Sequence, residues 1–154
     1  MNSPARIPIE SVSERAVPMD GIDEAIVAFH QAYQVVIAGA DERLAELGLG
    51  RSHHKVLYFA ARHPRCSVSD VREFIGVSRQ ALQRPLNDLH KHGLIETLVS
   101  PSNRRVHQLL LTVEGAALEF EVTQLMRKRF EHAFESVPAA SRKHWSAVMR
   151  AFVA

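Results

Sequence analysis

Apolar residues recur along this chain at helical spacing for most of its length. From Asp20 onward, Ile22, Ile26, Phe29, Tyr33, Ile37, Leu44 and Leu47 lie three, four or seven apart, which places them on one face of a helix ended by Gly48 and Gly50. A second helix is expected from about Ser52 to Arg62, with Val56, Leu57, Phe59 and Ala60 apolar. His63-Pro64 stops it, because the residue before a proline is pushed out of the helical region. In Ser67-Val68-Ser69-Asp70, Ser67 suits an N-cap and Asp70 suits a capping-box acid. Val71, Phe74 and Ile75 give the short helix that follows its buried side, and Gly76-Val77 makes the turn. Ser78 caps the next helix, in which Leu82, Leu86 and Leu89 face inward and Gly93 is the terminating glycine. Pro85, about two turns in, removes a hydrogen bond and predicts a bend.

The period then changes. Leu94–Val99 and Val106–Leu111 read as strands, joined by residues of turn composition at 100–105. Thr112 caps a long helix from Val113 to about Val137, with Leu118, Val122, Leu125 and Phe130 roughly on one side. Pro138 suits the first turn of a last helix carrying Trp145, Val148, Met149 and Phe152. The predicted class is mainly α with a small β-hairpin wing (α+β): a winged helix-turn-helix flanked by N- and C-terminal helices.

Length and composition narrow the classes. A chain of 154 residues is expected to form a single domain over 19–154, large enough to bury a core without staples. Residues 1–18, with Pro4, Pro8 and Pro18, read as a flexible arm. No apolar run approaches the ~20 residues of a membrane span, and the first residues lack the apolar core of a signal peptide. The lone Cys66 excludes an internal disulfide and fits a reducing cytoplasm, so no membrane partner and a cytoplasmic location are expected. The net charge of +2 says little, but its distribution says more. Residues 51–111 hold ten Lys and Arg against four Asp and Glu, and the remainder is acidic. A basic middle is the footprint of a segment that faces a polyanion.

The helix at 78–92 gives that footprint a chemistry. With its leucines inward, Arg79, Gln80, Gln83, Arg84 and Asn87 point outward, and no carboxylate intervenes before Asp88. Arginine pairs bidentately with guanine, and glutamine or asparagine with adenine. Arg104 and Arg105 at the hairpin tip would reach a phosphate or a narrow minor groove. Ser67, Ser69 and Ser78 sit at helix starts, where hydroxyls and free N–H groups suit phosphate, although capping alone also accounts for them. One such module buries little DNA, so a homodimer reading an inverted repeat in double-stranded DNA is expected. Ile7, Ile9, Phe134, Trp145, Val148, Met149 and Phe152 are candidates for its interface, the alternative being a monomer core.

Other chemistry is sparsely supported. His53-His54, His63 with Cys66, and His90 with His92 are the tightest groups, and none alone supplies the three or four ligands of a zinc site. No cofactor and no metal are expected. No phosphate-cradling glycine motif, nucleophile elbow or carboxylate–histidine arrangement suggests an enzyme. Phe29, His30, Tyr33 and Gln34 on the first helix, with His54 and Tyr58 on the second, could line a ligand cleft or simply pack the core. The competing readings are a winged-helix protein-docking module that ignores DNA and a redox- or metal-responsive regulator.

The ordered run Leu47-Gly48-Leu49, His53-His54-Lys55-Val56-Leu57, Ser67-Val68-Ser69-Asp70, Ile75-Gly76-Val77-Ser78-Arg79-Gln80-Ala81-Leu82, Leu89-His90-Lys91-His92-Gly93-Leu94-Ile95 and Leu111-Thr112-Val113-Glu114-Gly115 resembles the MarR family of bacterial winged-helix transcription regulators. The resemblance covers roughly residues 20–150. It implies a DNA-binding lobe at about 52–111, with its recognition helix at 78–92 and its wing at about 95–111. It also implies dimerisation helices at 19–47 and 113–154, and repression relieved in many members by a small phenolic or lipophilic effector, a metal or an oxidant. Family wings usually carry Asp-Pro-x-Asp-Arg-Arg. Here Ser100 and Asn103 replace the aspartates, while Pro101, Arg104 and Arg105 remain. The first helix has no cysteine, so the peroxide-sensing chemistry of one branch does not carry over.

Overall fold

The structure, a computed structural model, describes residues 18–99, 103 and 107–154. Six helices and one hairpin follow in the order α1 (Gly21–Ala45), α2 (Arg51–Arg62), α3 (Val68–Ile75), α4 (Arg79–Lys91), β1 (Ile95–Val99), β2 (His107–Leu111), α5 (Val113–Glu135) and α6 (Ala140–Ala151). The chain divides into two compact units after Tyr33, inside α1. In the first, the Asp20 carboxylate caps α1 by accepting from the amides of Ile22 and Asp23 at 2.8 and 3.0 Å. These two backbone donors hold the Asp20 carboxyl below its usual range.

The core lies in the second unit. Leu44, Val56, Leu57, Val71, Leu82, Leu89, Leu109 and Val122 are its most deeply buried side chains. α2 is the hub, packing on α3, α4, α5 and β2. Its period explains this: Val56, Leu57 and Ala60 share one side and are all buried. The left-handed Gly48 and Gly76 end α1 and α3 as the turns require.

The hairpin is antiparallel, with Ile95 opposite Leu111 and Val99 opposite His107. Cys66 also pairs with β2: the Leu109 amide donates to its carbonyl at 2.8 Å, and Ser67 bridges Gln108. An isolated bridge therefore ties the start of the helix-turn-helix to the wing. Thr112 fastens the base of the hairpin. Its hydroxyl donates to the Gly93 carbonyl at 2.7 Å and accepts from the Gly115 amide at 3.0 Å, capping α5. Gly93 is left-handed, and the Leu94 amide returns to the Leu89 carbonyl at 3.0 Å, closing α4.

Three expectations need correction. Phe74 is 51% exposed rather than buried; it lies against Phe59, with ring centroids 4.7 Å apart, at the rim of the core. The first helix buries Ile37, Ala40 and Leu44, whereas Ile22, Ile26, Phe29 and Tyr33 on the same stripe stay exposed. Helical spacing marks a face that wants cover, without saying what covers it. Pro138 stands just outside α6, where its carbonyl accepts from the Ser141 amide at 2.8 Å. α4 runs on through Pro85, whose ring is buried among the leucines. Among the described residues no helix is long and apolar enough to cross a membrane.

Candidate nucleic-acid interface

α3, the Gly76 turn and α4 form the helix-turn-helix, and capping sets where each helix starts. The Ser67 hydroxyl accepts from the Asp70 amide at 3.1 Å, and the Asp70 carboxylate accepts from the Ser67 amide at 2.8 Å. That backbone donor, with the Ser67 hydroxyl, holds the Asp70 carboxyl below its ordinary range. The Ser78 hydroxyl accepts from the Ala81 amide at 3.1 Å and opens α4. Each capping oxygen is thus engaged locally, while Ser69 is simply exposed.

Leu82, Pro85, Leu86 and Leu89 are buried on the inner side of α4. Arg79, Gln80, Gln83, Arg84 and Asn87 are all exposed on the other. Gln83 donates its amide to the Asn87 carbonyl oxygen at 2.9 Å, so these two neighbours form one polar unit. The Arg84 side chain is 91% exposed, with its Nε 3.7 Å from Asp88 Oδ2. The same carboxylate oxygen lies 3.1 Å from Nε2 of His53 on α2. Two residues further along α4, His90 Nε2 lies 2.8 Å from the Thr97 hydroxyl of β1, tying helix to wing. Neither histidine contact was evident from the sequence; each partner lies on a different element, and spacing along one element carries no such signal. The wing arginines Arg104 and Arg105 fall outside the described residues.

This arrangement is a polar, cation-bearing helix face with an apolar underside, joined through a short turn to a second helix and by a histidine to a hairpin. The model of the MarR family matches residues 47–106, from just after α1 to the residue before β2. A regulator described as HTH-type transcriptional regulator PetP, from Rhodobacter capsulatus, is 34% identical over 111 residues, covering 72% of this chain and 67% of that protein. The chain belongs to the MarR family. Solved structures share the winged-helix fold. The transcriptional repressor CouR, bound to a 23-mer DNA duplex, superposes with a TM-score of 0.71 at 22% identity, over 91% of this chain and all of that one. A crystal structure of a MarR family transcription regulator gives 0.74 at 18% identity, over 86% and 87%.

The MarR signature residues have visible work in this structure. Thr112 and Gly115 of the Leu-Thr-x-Glu-Gly run make the clasp on Gly93, and Ser67 and Asp70 make the α3 box. The candidate ligand residues are divided. Phe29, His30 and Tyr33 belong to the first unit and are exposed there. In the second, Gln34 is exposed, Tyr58 is at the surface and His54 is half-buried. His54 Nε2 lies 3.3 Å from the Thr123 hydroxyl, which donates to Glu119 Oε1 at 2.7 Å. Arg62 donates to the same oxygen at 2.7 Å, and its guanidinium lies 3.4 Å above the Tyr58 ring. Burial pushes the His54 pKa down, against a smaller upward pull from Glu119. Glu119 is a buried carboxylate that the apolar pattern of α5 gave no hint of.

A cleft of about 240 Å³ within the second unit lies beside these groups, lined by Ala60, Ala61, Pro64, Leu110, Leu111, Ala116 and Glu119. None of the six candidate ligand residues lines it. Burial, with the nearby Asp70 charge, raises the Cys66 thiol pKa and disfavours the reactive thiolate. Among the described residues no three His, Cys, Asp or Glu side chains gather as metal ligands.

Of the candidate interface residues, Trp145, Val148 and Phe152 are exposed, while Phe134 and Met149 are half-buried. Phe134 and Phe130 meet Trp145 edge to face, with ring centroids 5.7 and 5.5 Å away, joining α5 to α6. Ile7 and Ile9 fall outside the described residues.

Proposed function

We propose that this protein is a sequence-specific double-stranded DNA-binding transcription regulator, acting as a homodimeric repressor at an inverted-repeat operator. The observation that carries the reading is the open face of α4, where Arg79, Gln80, Gln83, Arg84 and Asn87 stand exposed opposite a leucine underside. These side chains hold the donors and acceptors that distinguish base pairs in a major groove. The basic surplus over 51–111 supplies attraction to phosphate. PetP, a transcriptional regulator, and CouR, a repressor bound to DNA, support the same role. In this reading 52–111 is the DNA-binding lobe and 19–47 and 113–154 pair two copies; the expected arm at 1–18 lies, but for its last residue, outside the described residues.

Release by a small phenolic or lipophilic effector belongs to the proposal. Tyr58 under the Arg62 guanidinium offers an aromatic and cationic face to such an anion. The effector must favour a dimer geometry that misfits the operator, because equal affinity for both geometries shifts nothing.

Selection of bound sequences from a random duplex library tests the reading, and an enriched inverted repeat is the expected result. On that duplex, Arg84→Ala or Gln80→Ala should relax preference at one base position, by about 1–3 kcal/mol. Arg104→Ala should weaken binding to every sequence and flatten the salt dependence. A protein that enriches no sequence would instead favour the protein-docking module.

A further inference from the structure

We infer that His53, on α2 and outside the exposed face of α4, is a positioning residue for base reading: it anchors Asp88 from behind, and Asp88 in turn sets the direction of Arg84. The inference rests on the proposed DNA-reading role of α4 and assigns a specificity determinant within it.

Hydrogen bonding fixes the tautomer of His53. The Gly50 amide donates to its Nδ1 at 3.0 Å, so that nitrogen carries a lone pair and the ring proton sits on Nε2. Nε2–H therefore donates to Asp88 Oδ2, 3.1 Å away. The His53 side chain is only 13% exposed and is held at both nitrogens, so its donor has a fixed place. Arg84 lies one turn before Asp88 on α4, and its Nε approaches the same Oδ2 at 3.7 Å. An exposed ion pair at i, i+4 has little hold of its own, because two long side chains must be ordered to make it. Here one partner is already ordered by a group on another helix. The bond from His53 draws the carboxylate toward α2, and on this inference that biases the directions from which the Arg84 guanidinium starts. Restricting a reading group before contact sharpens discrimination between base pairs by lowering the cost of ordering it.

The two nitrogens can be separated by substitution. His53→Asn places an amide near Nδ1 and keeps an acceptor for Gly50, but it falls short of Asp88. His53→Gln places its amide nitrogen near Nε2 and keeps the donor to Asp88. The readout is the ratio of affinities for the selected duplex and for the same duplex changed at the base pair where Arg84→Ala shows its loss. His53→Asn is expected to lower that ratio about three- to tenfold, His53→Gln to retain it, and His53→Asn to add nothing in an Arg84→Ala background. Asp88→Asn should lower the ratio similarly and carries the test if His53→Asn fails to fold in a thermal melt. A full ratio in both His53→Asn and Asp88→Asn, with Arg84→Ala still losing it, would overturn the inference and leave the DNA-reading role standing. An unchanged ratio in Arg84→Ala as well would remove both.

Discussion

At Gly115 the first turn of α5 passes so close to Leu94 that an added Cβ would sit within the contact distance of the Leu94 carbonyl oxygen and carbon. Both are backbone atoms, which cannot swing aside as a side chain could. Gly115→Ala should therefore push α5 away from the start of β1 and destabilise the fold by about 1–3 kcal/mol. Urea unfolding should show this as a lower midpoint with an unchanged slope. The sequence marks this glycine only through family likeness; the carbonyl it faces is a tertiary fact. Phe74 shows the converse. Its spacing with Val71 and Ile75 reads as core, yet α3 is so short that one flank reaches solvent.

Among the elements, α2 to β2 were the most legible, because Ser67, Ser78, Gly76, Gly93 and Thr112 punctuate them with local chemistry that works without tertiary help. The apolar stripe of α1 and the whole of α6 were half legible: periodicity gave their faces, but cover depends on what meets them. Least legible was the polar network between α2 and α5. The Thr123 hydroxyl gives its proton to Glu119, so its oxygen accepts from His54 Nε2–H. The folded pKa of His54 lies below the unfolded value of about 6.5. The unfolded chain thus binds a proton that the folded chain refuses, and stability should fall as pH drops through and below about 6.5. His54→Gln keeps a donor for Thr123 and should flatten that part of a stability–pH profile measured by chemical unfolding.

For the molecule as a whole, the distribution of apolar surface is as telling as that of charge. α6 has no buried residue, yet it carries Trp145 and Val148 and is followed by Phe152, 78% exposed. A surface of this kind is expected where a second copy adds cover. In a two-fold pair each substitution acts twice. On the proposed homodimer, Val148→Asp should shift the protein to monomer in sedimentation and lower operator affinity about tenfold or more, with helical content unchanged. Retained dimer in that variant would place the pairing surface elsewhere. The hairpin adds a different consequence. A single hydroxyl pins its point of departure to its point of return, on Gly93 and Gly115. Residues joining the far ends of β1 and β2 can then be lengthened, shortened or recharged while the body stays as it is. On the proposed DNA-reading role, exchanging that short stretch between relatives should change which duplexes the protein prefers, a handle for rewiring its choice of promoter.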